Sequence, residues 1–214
     1  MEYKINNRTI DYLKSADKKL AKVIDCVGTL NVSETADAFY FLVREIVGQM
    51  ISAGVKRVIF DRLLNLCLGE LSPDKINSLS LDNLRGIGLS MSKSNYIKNL
   101  AELTAKGEID FDSLASMSDK EVLDRLMAIK GIGIWTSKMY LIFYLKREDV
   151  LPIEDGAFMQ SFRWLYGYKN PDQRTVDRIC KKWRPYTSIG ARYLYAALDS
   201  GLTKIPVNEF LNSR

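Results

Sequence analysis

Histidine is missing from all 214 residues. Its absence removes imidazole acid–base chemistry, Ser-His-Asp and Cys-His nucleophile systems, and most zinc sites. Cysteine is scarce. Cys26, Cys67 and Cys180 are too scattered for a CxxC pair, and three cannot supply a zinc quartet or a four-cysteine iron–sulfur site. They are expected to be small buried apolar side chains in a reducing compartment. Long hydrophobic runs are lacking as well. The longest, Met139 to Leu145, is far too short to cross a bilayer, and no signal peptide is visible. The expectation is a cytoplasmic protein, nucleoid-associated if bacterial, that is neither secreted nor bound to a membrane. Alternating apolar–polar runs of the kind that require a β-strand are also absent, as are low-complexity linkers and clean repeats.

What remains is helical. Hydrophobic residues make up 47% of the chain, enough for a substantial core. Ile10, Leu13, Leu20, Val23, Ile24 and Val27 fit one buried helical face, closed by Gly28 and an Asn31-Val32-Ser33 turn. Phe39, Leu42, Val43, Ile46 and Val47 recur at intervals of three and four in a helix from about Thr35 to Met50. Gly48 and Gly54, bracketing the next helix start, imply tight packing or a bend. Ser90 can cap a helix through Leu103, and Ser118-Asp119-Lys120-Glu121 matches a capping box for a helix to Ile129. Later helices cover about 156–166, 172–182 and 188–200. The fold class is all-α, roughly a dozen helices with short connections.

Charge is uneven. The net charge is +5, yet the segment from Arg163 to Arg192 carries eight basic residues against Asp172 and Asp177. Such a segment reads either as a solvated helical face or as a surface for phosphate.

The most informative stretch runs from Leu126 to Asp155. Leu126 and Ile129 set one helix against a core, and Gly131 and Gly133 permit a close hairpin with Ile132 turned inward. Amides at the start of the following helix then point outward as a phosphate site, flanked by Lys130 and Lys138. Small Ser137 stands where helices must approach closely. The full pattern, apolar–x–x–apolar–x–Gly–apolar–Gly, resembles the helix-hairpin-helix (HhH-GPD) DNA glycosylase superfamily, and within it the 3-methyladenine DNA glycosylase II group. The resemblance covers roughly residues 35–200. It implies two helical lobes, 35–145 with the hairpin at 126–138, and 1–34 plus 146–214, with the active site in the cleft between them. The implied DNA-binding set is Gln49, Met50, Lys130, Gly131, Ile132, Gly133, Ser137 and Lys138.

The same family implies a proline-containing loop ending in an essential aspartate. Here the loop ends Leu151-Pro152-Ile153-Glu154-Asp155, so two acids compete. Phe158 and Phe162 lie three and seven residues beyond Asp155 on one helical face, which places Asp155 at the family's catalytic position and Glu154 out of register. An ordinary helix N-cap is the simpler reading of Asp155, and the two roles are compatible. Trp135 stands where strand-cutting members carry lysine. This implies a monofunctional enzyme that uses water, with Trp135 as a face for the flipped base; a core tryptophan is the alternative.

Gly48-Gln49-Met50-Ile51-Ser52 resembles the segment that inserts an apolar wedge into the gap left by base flipping, with Met50 as wedge, Gln49 as a neighbouring contact, and core packing as the plainer role for Met50. Leu89-Ser90, Lys93 and Tyr96, then Trp183-Arg184-Pro185 and the run Ala191 to Tyr195, resemble further stretches of the same group. Tyr195 falls where relatives carry tryptophan and would complete an aromatic base pocket with Trp135 and Met139. Met139 and Gly156 replace aromatic residues of relatives, which implies a roomier or differently selective pocket. The resemblance also implies a chain shorter at its N-terminus and without the extra β domain of some relatives. It carries no iron–sulfur cluster and no other cofactor, beyond a monovalent cation on the hairpin carbonyls. The expected partner is double-stranded DNA with a damaged base, bound by a monomer. The expected reaction is hydrolysis of the N-glycosidic bond of an alkylated purine. A glycosylase for deaminated or mismatched bases and a non-catalytic DNA-binding module are the competing readings.

Overall fold

The computed structural model describes residues 3–32 and 37–212. The chain forms two compact units: residues 35–145 make one, and residues 1–34 with 146–214 make the other. Both are helical. A two-residue antiparallel ladder, Tyr3 opposite Val32 and Lys4 opposite Asn31, is an addition that no sequence period could reveal at such a length. The expected turn at 31–33 is therefore strand at Asn31–Val32, and Ser33 lies outside the described residues.

The discontinuous unit begins with α1 (Asn7–Ala16) and α2 (Lys18–Val27). The sequence predicts one amphipathic segment here, but the chain breaks at Asp17, which takes an extended backbone. Its carboxylate accepts the amides of Lys19 at 3.0 Å and Leu20 at 3.2 Å and so starts the second helix. Leu13, Leu20, Val23 and Ile24 nevertheless share one buried face.

The continuous unit follows with α3 (Ala38–Gly48), α4 (Ala53–Leu66), α5 (Pro73–Ser78), α6 (Leu81–Gly86), α7 (Met91–Ala105), α8 (Phe111–Leu114), α9 (Asp119–Met127) and α10 (Ile134–Met139). The expected start of α3 near Thr35 falls outside the described residues. Phe41 joins the predicted apolar set in the core, and Glu45 is buried against Lys56 Nζ at 2.8 Å. The unit packs α3 against α4, α7 and α10, so its central helix is apolar nearly all round. Each such large side chain contributes about 1.5–3 kcal/mol on burial. The capping box at Ser118 forms with both bonds, and Ser90 accepts the Lys93 amide at 3.3 Å. A Cβ on Gly48 would lie 2.6 Å from Lys56 Cδ, the tight contact expected there, whereas one on Gly54 would meet no described atom within 4 Å. After α10 the helix widens into a π segment, Tyr140–Tyr144, in which the Leu145 amide reaches Tyr140 O at 2.9 Å.

The chain then returns to the first unit through α11 (Gly156–Tyr166), α12 (Gln173–Cys180), a 3₁₀ turn at Lys181–Trp183, α13 (Thr187–Asp199) and α14 (Val207–Asn212). Phe158, Phe162, Leu165, Trp183, Tyr193 and Leu194 meet the α1–α2 face in one core. Cys67 and Cys180 are buried as expected, while Cys26 is exposed on the outer face of α2, a correction to the sequence reading. Among the described residues, no helix is long and apolar enough to cross a membrane.

Asp17 ties the ends of this unit together. Its Oδ2 accepts the Trp183 indole N–H at 3.0 Å and the Tyr166 hydroxyl, and pairs with Lys182 Nζ at 3.0 Å. Burial pushes its carboxyl up, but the hydrogen bonds from Tyr166, Trp183, Lys182 and the Leu20 amide outweigh that effect and hold it below its ordinary value of 3.8. Stability from this group is therefore complete above pH 3.8 and is lost as the pH falls through the lower, folded-state pKa. Asp17→Ala should cost about 3–5 kcal/mol in urea unfolding, because it strands several buried donors. It should also remove that share of the acid transition.

Candidate nucleic-acid interface and active site

The hairpin grows from a steric constraint. Gly131 has φ +97°, and a Cβ there would fall 2.2 Å from Cγ of Tyr96, so only glycine closes this turn. Ile132 is buried and its amide donates to Ile129 O at 3.0 Å. Gly133 is different. Its φ of −101° suits any residue, it is exposed, and a Cβ would meet no described atom within 4 Å. It precedes α10 without offering a side-chain cap, so the first amides of that helix receive none from it. Lys130 is exposed beside it, and Lys138 is half-buried on α10.

Next to the hairpin runs the loop Gly48–Ser52. Met50 is fully exposed and holds φ +57°, a left-handed conformation that costs a side-chain-bearing residue about 1–2 kcal/mol. Gln49 Nε2 donates to Gly131 O at 2.9 Å and to Thr136 Oγ1 at 3.1 Å. Lys93 Nζ reaches across from α7 to Val47 O at 2.8 Å and Gln49 O at 2.7 Å. Burial lowers the Lys93 pKa from its ordinary value.

In the other unit, the loop from Lys146 ends on Asp155, whose Oδ1 accepts the Phe158 amide at 2.8 Å and caps α11. The carboxylate is only 8% exposed and lies at the positive end of that helix, whereas Glu154 is exposed. Phe158 and Phe162 are fully buried, the register the spacing predicts. The loop is strapped to the first turn of α13. The Val150 amide donates to Ser188 Oγ at 2.9 Å, Ser188 Oγ returns a bond to Val150 O at 3.1 Å, and the Ser188 amide reaches Glu148 O at 2.9 Å. Thr187 Oγ1 adds a bond to Asp149 Oδ1 at 2.9 Å.

Residues 43–185 match the sequence profile of the HhH-GPD superfamily of base excision DNA repair proteins. The chain belongs to that family. It is 29% identical over 191 residues to DNA-3-methyladenine glycosylase 1 of Schizosaccharomyces pombe, covering 86% of this chain and 84% of that one. Among solved structures it resembles the DNA-3-methyladenine glycosidase of Bacillus halodurans, with 29% identity, full coverage of both chains and a TM-score of 0.81. It also resembles the Schizosaccharomyces pombe 3-methyladenine DNA glycosylase in complex with abasic DNA. There the identity is 28%, the coverage is 90% and 97%, and the TM-score is 0.83.

This HhH-GPD chain distributes the predicted site residues as follows. In the 35–145 unit, Gln49 joins the loop that carries Met50 to the hairpin segment that carries Lys130, Gly133, half-buried Trp135 and Lys138. Ile132 and Ser137 belong to the same hairpin but are buried, so their side chains cannot touch DNA; Ser137 Oγ turns back to Gly133 O at 3.0 Å. Met139 is buried on α10, and Tyr195 is half-buried on α13 in the other unit. Gly156 is exposed, with space for a Cβ. The basic segment is partly structural: Lys182 pairs with Asp17, and Arg178, Lys181 and Arg184 share an open cavity with Asp149 and Asp177. Sequence reasoning missed Ser188 and Thr187, whose position before an apolar run signals only a helix start, and gave Lys93 no role.

The two hairpin glycines should separate cleanly in thermal or urea unfolding. Gly131→Ala is expected to destabilise the protein by at least about 2 kcal/mol through strain and the Tyr96 clash. Gly133→Ala should stay within about 0.5 kcal/mol of wild type.

Proposed function

We propose that the chain is a monofunctional DNA glycosylase that hydrolyses the N-glycosidic bond of an alkylated purine in double-stranded DNA. The observation that carries this reading is the buried Asp155 carboxylate, fixed at the positive end of α11 by the Phe158 amide and backed by the Ser188 strap. The names of relatives that match this chain along most of their length support the substrate class.

Breaking the bond between C1′ and the purine nitrogen leaves positive charge on the sugar, in an oxocarbenium-like transition state. A pre-positioned carboxylate stabilises that charge and orients the water that adds to C1′. The water's oxygen ends on C1′, its proton is released, and the bonding electrons leave with the base. A purine alkylated on the ring carries positive charge and departs neutral, so it leaves more readily than an unmodified one. Trp135 offers an indole face to such a cation, worth about 0.5–2 kcal/mol depending on desolvation. Met139, on the same helix as Trp135, is assigned to the wall around the base. Trp135 occupies the position where a lysine would form a covalent adduct, which supports water as the nucleophile.

Before chemistry the base leaves the stack, and Met50 fills the space. Lys130, Lys138 and the amides around Gly133 hold phosphate. The neutral carbonyls of the hairpin fit a monovalent cation better than a divalent one, and such an ion would add positive charge beside that phosphate. One of these oxygens, Gly131 O, already accepts a bond from Gln49. The protein acts as a monomer, in the compartment that holds the DNA.

Wild type should release methylated purine from duplex DNA without strand nicking, and borohydride should trap no covalent adduct. Asp155→Asn keeps the N-cap acceptor, so it should fold normally yet lose about 10²-fold or more in single-turnover base release. Full activity in Asp155→Asn would overturn the mechanism; exclusive release of uracil or hypoxanthine would overturn the substrate class. DNA affinity should fall linearly in a plot of log K against log salt.

A further inference from the structure

Met50 presents a contradiction that its own surroundings do not resolve. An apolar side chain stands fully in solvent on a strained, left-handed backbone, so the fold gains nothing from its burial. The loop is held instead from behind. Lys93 Nζ binds the carbonyls of Val47 and Gln49 at 2.8 and 2.7 Å, one before and one after the glycine that ends α3. A lysine ammonium at a helix C-terminus meets carbonyls that have no helical partner and a negative dipole end. Lys93 is itself fixed by the capping bond of its amide to Ser90 Oγ at 3.3 Å. On the other side, Gln49 Nε2 joins the loop to Gly131 O and Thr136 Oγ1, the turn and the first helical turn of the hairpin. Gln49, expected as a DNA contact, thus has its side-chain nitrogen engaged within the protein.

We propose that Lys93 and Gln49 are positioning residues that hold Met50 as a preformed wedge and lock it to the hairpin, so that wedge and phosphate grip meet the duplex as one rigid piece. The proposal rests on the glycosylase reading above. Pre-organisation removes the ordering of the loop from the flipping step. Neither residue needs to touch the reacting atoms; both act through Met50.

The test is a double-variant cycle on methylated duplex, read by single-turnover base release and by a fluorescent base analogue placed beside the lesion. Lys93→Met should slow release by tenfold or more and dim the flipping signal, while affinity for undamaged duplex stays within twofold. Lys93→Arg, which keeps the cation, should recover most of the rate. In a Met50→Ala background, Lys93→Met should cost nothing further, because the group it positions is gone. Gln49→Met should show the same dependence on Met50, which keeps the test decisive if Lys93→Met folds poorly. Losses that simply multiply in the double variants would overturn the positioning role, as would a Lys93→Met enzyme with the wild-type rate. A wild type that releases no base from any methylated duplex would instead overturn the glycosylase reading.

Discussion

One contact in the 35–145 unit leaves no freedom: the ring of Tyr96 occupies the space where a side chain at Gly131 would begin. That contact holds the hairpin at positive φ, turns Ile132 into the core, and aims Gly131 O at Gln49. Gln49 in turn carries the loop that presents Met50. Two surface features from distant parts of the sequence are thereby joined through one glycine, one ring and one amide. Gly133, two residues on, obeys no such internal demand.

The discontinuous unit shows how one local device can serve two ends. Asp17 and Asp155 are both buried N-caps that accept an amide in the first turn of the helix they start. Asp17 is surrounded by an indole N–H, a phenol and an ammonium, and its carboxylate fastens α2 to the turn at Trp183. Asp155 sits at the end of a loop whose backbone is held by Ser188, which fixes where the carboxylate stands without drawing on its charge. In the reaction proposed here that charge opposes the one developing on the sugar. The same physics, a carboxylate at the positive end of a helix, contributes stability in one place and suits catalysis in the other.

The HhH-GPD family was legible in the sequence because its marks are local. Glycines two residues apart, apolar residues two and five before the first of them, and a tryptophan two after the second survive as a linear pattern. Departures within that pattern at Met139 and Gly156 are equally visible, but their effect depends on neighbours that a linear reading does not supply. Helix starts were legible for a related reason: Ser90, Ser118, Asp155 and Asp172 each cap a helix through a bond to the third residue on. Cys26 was misjudged because burial depends on which helical face a residue occupies, and residue type alone does not give that.

The sequence by itself determined the all-α class, the core faces, the hairpin and the register that sets Asp155 above Phe158 and Phe162. Each of these depends on spacing within about two helical turns. Tertiary structure decided the rest. The break at Asp17 is completed by Tyr166, 149 residues away, and the Gly48–Ser52 loop meets the hairpin through Gln49 and Gly131, 82 residues apart. Lys93 grips the end of α3 from 44 residues downstream of Gln49, and Ser188 secures the loop that leads to Asp155 across 38 residues at Val150. Such bonds have no period and leave no signature along the chain, because the partner is selected by packing rather than by sequence distance. Met50 illustrates the division: its residue type could be read in line, but its exposed, left-handed pose is visible only in the tertiary structure.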